Sequence, residues 1–388
     1  MQENEILMNA IEVANRNGHF FCKFISANDV GINGAHQEGI YLNKNSWSMF
    51  FDIPMPTTGI LDRKVKIHID DWKTFESRIV YYTSKKEFRI TQFWTNTPYE
   101  KQEVVGALIV FIPVSPEDYK VYLFNTEQEI EDFIDTFSLS LINNFSVYRT
   151  DTGQKLEVFP TLEDRVNELI RGIEMFPTTA VMSQISRDVF MEFSKKKKIT
   201  PDTDLLDWVD TEYTVFRLLE RHIYRDKLVK PFLDIEPLLE FANTALNRRK
   251  SRAGRSLEHH INFIFSSIGL PFDNPGKTEG KKKPDFLLPS TKEYKDESYP
   301  DDKLIMLGAK TTCKDRWRQV LNEANRIPHK HLLTLQQGIS KNQMDEMHQE
   351  NLTLVVPKPL HKFYPKEYQE RLWTLDRFIR FAHEKYNV

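Results

Sequence analysis

Residues 280–290 read GKKKPDFLLPS, and residues 303–326 read KLIMLGAKTTCKDRWRQVLNEANR. Pro284 and Asp285 head a short apolar run, Phe286 to Leu288. After a polar loop a second run, Leu304 to Leu307, ends in Gly308-Ala309-Lys310. The two runs read as neighbouring strands, with a carboxylate on one and a lysine at the end of the other. That is the ground plan of a metal-dependent phosphodiesterase site. The carboxylate holds a divalent cation against the scissile phosphate, and the lysine orients water and offsets developing charge.

The plan has a gap. A second acid is usual two residues before the lysine, where this chain has Gly308. Mg²⁺ wants several hard oxygen ligands, so another carboxylate must come from elsewhere. Residues Asp315 to Arg326 read as a helix with Trp317, Val320, Leu321 and Ala324 as apolar positions. Glu323 on that helix could fill the place if the helix packs back over the strands. On spacing alone a solvated helix position is the commoner outcome for a charged helix residue.

Residues 310–319 (KTTCKDRWRQ), Asn322-Glu323-Ala324 downstream and Lys283 to Leu287 upstream resemble the catalytic segment of the EcoRII family of restriction endonucleases. Residues 247–258 (NRRKSRAGRSLE), residues 354–362 (LVVPKPLHK) and much of the first half extend the resemblance over nearly the whole chain. It implies a multidomain α+β protein: an N-terminal β pseudo-barrel that binds effector DNA, then an α/β restriction-endonuclease-like, PD-(D/E)xK, catalytic domain. It implies Glu258, Asp285, Lys310 and Glu323 as catalytic residues, with Mg²⁺ held by Asp285 and Glu323. By itself, Glu258 near a helix start would be stabilised by the helix dipole and could be purely structural.

Lys314-Asp315-Arg316 has donors and an acceptor in an order suited to the major groove. Arg or Lys pairs with guanine and Asp accepts from cytosine; a plain ion pair at a helix start is the other reading. The resemblance makes the triplet the reader of outer C·G pairs. It also implies a pocket for an extruded base, with Trp208 and Tyr213 as candidate stacking walls, though Val209 stands where the family carries arginine. Both aromatics could instead belong to helix packing.

The chain has 388 residues, which favours more than one domain, and 40% hydrophobic content is enough for real cores. The net charge of −3 is not that of a globally basic DNA binder. Phosphate contact needs only a local basic stripe, and Lys195 to Lys198, Arg248 to Arg255 and Lys281 to Lys283 supply three. Cys22 and Cys313 lack metal-ligand spacing and read as reduced thiols. His259 and His260 lack partners at ligand spacing. No apolar run approaches membrane-spanning length and the start has no signal-peptide pattern, so the expected location is cytoplasmic, with no membrane partner.

From Phe20 the first half is a series of short runs rich in β-branched and aromatic residues: Phe20–Ile25, Ile40–Leu42, Val65–Ile69, Ser77–Tyr82, Arg89–Trp94, Ala107–Ile112 and Lys120–Phe124. Turn residues separate them, the pattern of a barrel or open barrel. Helices are expected over 2–17, before the strands, and over 126–138, after them. The second half reads as helices over 181–195, 205–227, 235–245 and 257–268, strands near 285, 304, 331 and 352, and a helical tail. Boundaries are expected at 1–150 for the effector domain, 151–176 for a connector and 177–388 for the catalytic domain. Residues 26–29 (SAND) and 34–41 (GAHQEGIY) match the family's effector-binding domain. Lys23, Asn28, His36, Tyr41, Glu87 and Arg89 follow as expected DNA contacts, with Phe88 where a basic residue is usual.

Three functions stay open at this point. One is a type IIE enzyme: a homodimer cutting double-stranded DNA at CC(A/T)GG or a CCNGG-like site, activated by a second copy of the site. Its host would need a cytosine methyltransferase. Another is a noncatalytic, sequence-specific DNA-binding protein, which the intact set of four catalytic residues disfavours. The last is a related nuclease of altered specificity.

Overall fold

The computed structural model describes residues 2–33, 38–69, 73–140, 142, 146–150, 160–194 and 198–386. The expected His36 contact and Lys195 to Lys197 lie outside the described residues.

The first half builds one eight-stranded sheet from β1 (His19–Phe24), β2 (Ile40–Leu42), β3 (Ile60–Ile69), β4 (Lys73–Tyr82), β5 (Glu87–Thr91), β6 (Leu108–Pro113), β7 (Asp118–Phe124) and β8 (Ser146–Arg149). The order is β2-β5-β4-β3-β7-β6-β1-β8; β3 and β7 pair parallel, all other neighbours antiparallel. This is the open barrel the short runs predict. Strands β1 and β6 are buried on both faces, and their two-residue period sorts the side chains. Phe21, Ile109 and Phe111 point into the barrel, while Phe20, Cys22, Phe24, Leu108 and Val110 face two helices, Gln2–Asn17 and Glu127–Phe137. The second helix starts in a capping box, Thr126 with Glu129, which satisfies its first free amides. Its inner side (Ile130, Phe133, Phe137) is anchored in the sheet, so its acidic side is turned outward.

In the second half β9 (Phe286–Leu288), β10 (Ile305–Lys310), β11 (Lys330–Thr334) and β12 (Leu352–Val355) form a sheet of order β12-β11-β10-β9. β9 and β10 are antiparallel and the others parallel. Helices Thr179–Ser194, Pro201–Leu228 and Ile235–Ser267 stack beside it. The helices expected over 235–245 and 257–268 are one 33-residue helix. The intervening basic residues are good helix formers, and charge hides their period. Their side chains are spent locally: Arg252 lies 3.8 Å over the Tyr213 ring, and Arg249 binds Glu220. The helix expected over 315–326 is cut to Trp317–Leu321, and Ala324, at φ 53°, turns the chain out of helical geometry. No described helix is long and apolar enough to cross a membrane.

The two halves pack directly. Gln336 Nε2 donates to the Gly106 carbonyl at 3.0 Å, and the Ala27 amide donates to the Phe363 carbonyl at 3.3 Å. At Gly106, φ is +82° and a Cβ would strike the Gly338 carbonyl oxygen, so only glycine allows the approach.

Candidate active site

Pairing of β9 with β10 sets Phe286 opposite Leu307 and brings Asp285 beside the end of β10. Asp285 Oδ2 accepts from the Ala309 amide at 2.8 Å and from Lys310 Nζ at 3.2 Å. Asn274 Nδ2 donates to the Asp285 carbonyl at 2.8 Å and also hydrogen-bonds Glu258. Glu258 comes from the long helix. Burial and the nearby Asp285 raise its carboxyl above the ordinary range, although Arg255 and Lys310 oppose the shift.

Gly308 explains how Glu323 arrives. A Cβ there would sit 3.1 Å from Val320 Cγ2, so the absent side chain lets the short helix Trp317–Leu321 close onto β10. Glu323 follows that helix directly. Burial first, and then Asp285, push its carboxyl up from the ordinary 4.5 to about 7, against the pull of Lys310, Lys282 and Lys330. Glu258, Asp285, Lys310 and Glu323, distant in sequence, therefore feel one another.

The donors are hard carboxylate oxygens, the chemistry Mg²⁺ takes, and the mutual repulsion recorded in two raised carboxyls is what a cation relieves. As they stand, no three His, Cys, Asp or Glu among the described residues form a cation cage. Lys310 occupies Asp285 Oδ2 instead. The residues fit a divalent cation by donor type and charge, with the lysine displaced or rearranged.

A cavity of about 400 Å³ opens over this cluster. One wall holds Glu258, Lys310, Thr312 and Arg316; the other is the acidic side of helix Glu127–Phe137, with Glu127, Glu131, Asp132 and Asp135. At ~30 Å³ per water it holds about a dozen waters and no duplex.

The expected reading triplet is bound to that same helix. Lys314 is buried against Asn125, and burial lowers its ammonium to about 8. Asp315 Oδ2 accepts from the Glu127 amide at 2.9 Å, at the helix N-terminus. Arg316 Nη2 reaches Glu127 at 3.0 Å and Glu131 at 2.5 Å, and Thr312 Oγ1 donates to both carboxylates. Lys250 adds a pair with Asp132 at 2.6 Å. These acidic partners lie about 190 residues upstream of the triplet. Sequence reading marked them only as an acidic helix, and Asn274 carried no signal at all.

Trp208 and Tyr213 are in the helical core. Trp208 packs on His260 and Phe263, and Tyr213 lies under Arg252. Val209 is buried with them. His259 and His260 are structural: His259 meets Thr179, and His260 meets Glu212 and Arg187. Cys22 and Cys313 are both buried, and neither is in a disulfide.

In the barrel, Lys23 is buried on Asp29 at 2.8 Å and also donates to the Tyr41 carbonyl. Tyr41 is partly exposed, with the Lys23 and Arg89 cations each 5.9 Å from its ring. Asn28 is exposed and pairs with Asn33, and Glu87 lies 3.4 Å from Arg89. Phe88 has the opposite parity on β5 and packs on Trp47, Phe50 and Tyr81. It is a core residue, and Glu87 and Arg89 occupy the other face.

A family model described as "Restriction endonuclease EcoRII, N-terminal" matches residues 14–150, and one described as "EcoRII C terminal" matches residues 216–379. The type II restriction enzyme EcoRII of Escherichia coli is 35% identical over 391 residues, 95% of each chain. The type II restriction enzyme SsoII of Shigella sonnei is 26% identical over 156 residues, 38% of this chain and 49% of that protein. A solved structure of metal-depleted Ecl18kI with uncleaved, modified DNA covers 57% of this chain and 84% of its own, at 19% identity and TM-score 0.44.

Proposed function

The chain belongs to the EcoRII family of type II restriction endonucleases, and from that premise we propose that it is a Mg²⁺-dependent type IIE enzyme held closed by its own effector domain. The observation that supports this reading is the approach of Glu258, Asp285, Lys310 and Glu323 to one another, with Glu258 and Lys310 lining the cavity that the acidic helix covers. The enzyme is a homodimer cutting both strands at CC(A/T)GG or a CCNGG-like site. The division is 1–150 for the effector domain, 151–176 for the connector and 177–388 for the catalytic domain.

Asp285 and Glu323 would hold the metal ion, which would supply Lewis-acid stabilisation of charge on the phosphate and a more acidic water. Lys310 donates to a nonbridging phosphate oxygen and orients the water. Glu258, raised in affinity for protons and tied to Asn274, takes up the proton the water loses. The water oxygen bonds to phosphorus, the P–O3′ bond breaks, and a 5′-phosphate and 3′-hydroxyl remain. Lys314, Asp315 and Arg316 read the outer base pairs once the acidic helix leaves. Effector DNA meets Asn28, Tyr41, Glu87 and Arg89 on the barrel, with Lys23 setting Tyr41, and His36 is a further contact that the family resemblance implies. Trp208 and Tyr213 support the base pocket from behind, because both are buried.

Digestion of unmethylated phage DNA with Mg²⁺, followed by sequencing of the ends, tests the specificity. Discrete ends at CC(A/T)GG are expected, and cytosine methylation of that site should block them. Discrete ends elsewhere would keep the chemistry and discard the site.

The raised Glu323 carboxyl has a pH signature. A folded-state value near 7 against the ordinary 4.5 means the metal-free fold binds the proton more tightly than the unfolded chain. Stability is therefore lost as pH rises from about 4.5 to about 7 and stays lost above. Glu323→Gln should stabilise the metal-free protein by about 2 kcal/mol at pH 8, after a discount for partial exposure, and by almost nothing at pH 4.5. Urea melts at the two pH values check this. An equal effect at both would remove Glu323 from the charge cluster.

A further inference from the structure

The chain that leaves the long helix Ile235–Ser267 turns back and runs beside β9. Phe272 opens the return, packed between Phe265 of the helix and Phe286 of β9, with ring centroids 5.6 and 5.8 Å away. Asp273 and Leu287 then exchange both backbone bonds of an antiparallel bridge, at 2.9 and 3.1 Å. Further on, the Gly276 amide donates to the Pro284 carbonyl at 2.9 Å. These contacts bracket Asn274 on one segment and Asp285 on the other, so the two residues are held side by side.

A primary amide has two N–H groups and one strong acceptor on a single rigid plane. Asn274 uses them on three different residues. Its Nδ2 donates to the Asp285 carbonyl at 2.8 Å. Its Oδ1 accepts from Asn262 Nδ2 at 3.4 Å. Glu258 is bonded to the same side chain. A carboxylate only accepts, so Glu258 meets the N–H that Asp285 leaves over. Asn262 lies one turn beyond Glu258 on the long helix, on the same face. One amide therefore joins two successive turns of that helix to the residue that carries the strand's carboxylate.

The junction answers a specific problem. Glu258 and Asp285 repel each other: after burial itself, Asp285 is what raises the Glu258 carboxyl. A neutral donor holds the two acids at a fixed spacing and adds no charge where a cation and a phosphate must both enter. Docking of the segment does not call for this side chain, because Phe272, the Asp273 bridge and the Gly276 amide already supply it.

We propose that Asn274 is a positioning residue for strand cleavage: its amide sets the Glu258 carboxylate against Asp285, so that the proton acceptor and the metal-binding acid approach one phosphate together. This rests on the reading of Glu258 as the group that takes the proton from water, and it names what holds that group in place.

A double-mutant cycle on the full-length protein and two-site DNA tests it, with Asn274→Ala and Glu258→Gln made singly and together. The readouts are the single-turnover cleavage rate with Mg²⁺, the dissociation constant for the same DNA without metal, and the thermal melt. Asn274→Ala should slow cleavage by on the order of 10²-fold, the cost of misplacing a reacting group by about 1 Å, with the dissociation constant unchanged. Glu258→Gln should lose ~10²–10⁴-fold, the contribution of a general base. In the double variant Asn274→Ala should add nothing to that loss, because the group it places is already gone. Losses that multiply in the double variant overturn the proposal and leave Glu258 standing as proton acceptor. An unchanged rate in Asn274→Ala, or a loss that lies wholly in DNA affinity, does the same. A Glu258→Gln variant that cuts as fast as the parent overturns the proton-acceptor reading, and the proposal with it. If Asn274→Ala melts early, Asn274→Ser takes its place in the same cycle, and additivity with Glu258→Gln again decides.

Discussion

Lys310→Ala should lower single-turnover cleavage by ~10³-fold or more while leaving specific DNA binding within a few-fold of the parent. The magnitude is that of losing one preorganised donor to a developing oxyanion, with the water-orienting role added. The ammonium reaches Asp285 at 3.2 Å and is the cation common to the shifts of Glu258 and Glu323. Of the two raised carboxyls, Lys282 and Lys330 act on Glu323 and not on Glu258, so neither replaces it. Removing the charge leaves Glu258, Asp285 and Glu323 less compensated, and both raised carboxyls should rise further. Added metal should restore that balance but not the rate, because the donor itself is missing. A variant that still cuts within tenfold of the parent would show that Lys310 is not the catalytic lysine. One that binds as the parent does, in a protein that never cuts, would favour the noncatalytic reading.

Glu127→Gln with Glu131→Gln should speed cleavage of single-site DNA by about 10–100-fold. Arg316 bridges both carboxylates, Thr312 bonds both, and Glu127 also accepts from the Asp315 and Arg316 amides. Charge-assisted bonds of this kind contribute ~1.5–3 kcal/mol each, and they share partners, so the pair is worth about 3 kcal/mol. That shifts a closed–open equilibrium by ~100-fold, with the gain capped once the open form dominates. Two-site DNA should respond less, since on the proposed reading bound effector DNA already opens the parent. Removal of residues 1–176 should match or exceed the double variant. If activity vanishes on truncation, or the double variant loses stability with no gain in rate, the acidic helix is scaffold and not a restraint. Raised salt should mimic the variant weakly, because Glu127 is buried and only the outer pairs are screened.

Part of this is legible in the sequence. Short β-branched runs between turn residues foretold the open barrel, and alternation on β1 and β6 needed both faces buried. Pro284-Asp285 and Gly308-Ala309-Lys310 located the strands of the cluster, and Glu323 could be named as a candidate for the missing acid. The long helix reads as two in the sequence because residues 246–256 are rich in basic residues and apolar periodicity is silent there. Trp208 and Tyr213 looked like stacking walls, since an aromatic residue in a helix carries no mark of which way it points.

By itself the sequence determined the strand periods, the four candidate cluster residues and the family, because these depend on residue type and spacing along one chain. Only the tertiary structure decided that Lys314, Asp315 and Arg316 are clasped by Asn125, Glu127 and Glu131. It also decided that Gly308 is the gap through which Val320 approaches, and that Asn274 ties the long helix to the head of β9. The physical reason is the same in each case. Ion pairs, close approach and exposure depend on distances between segments more than a hundred residues apart or on what packs beside an element, and local propensity contains neither quantity.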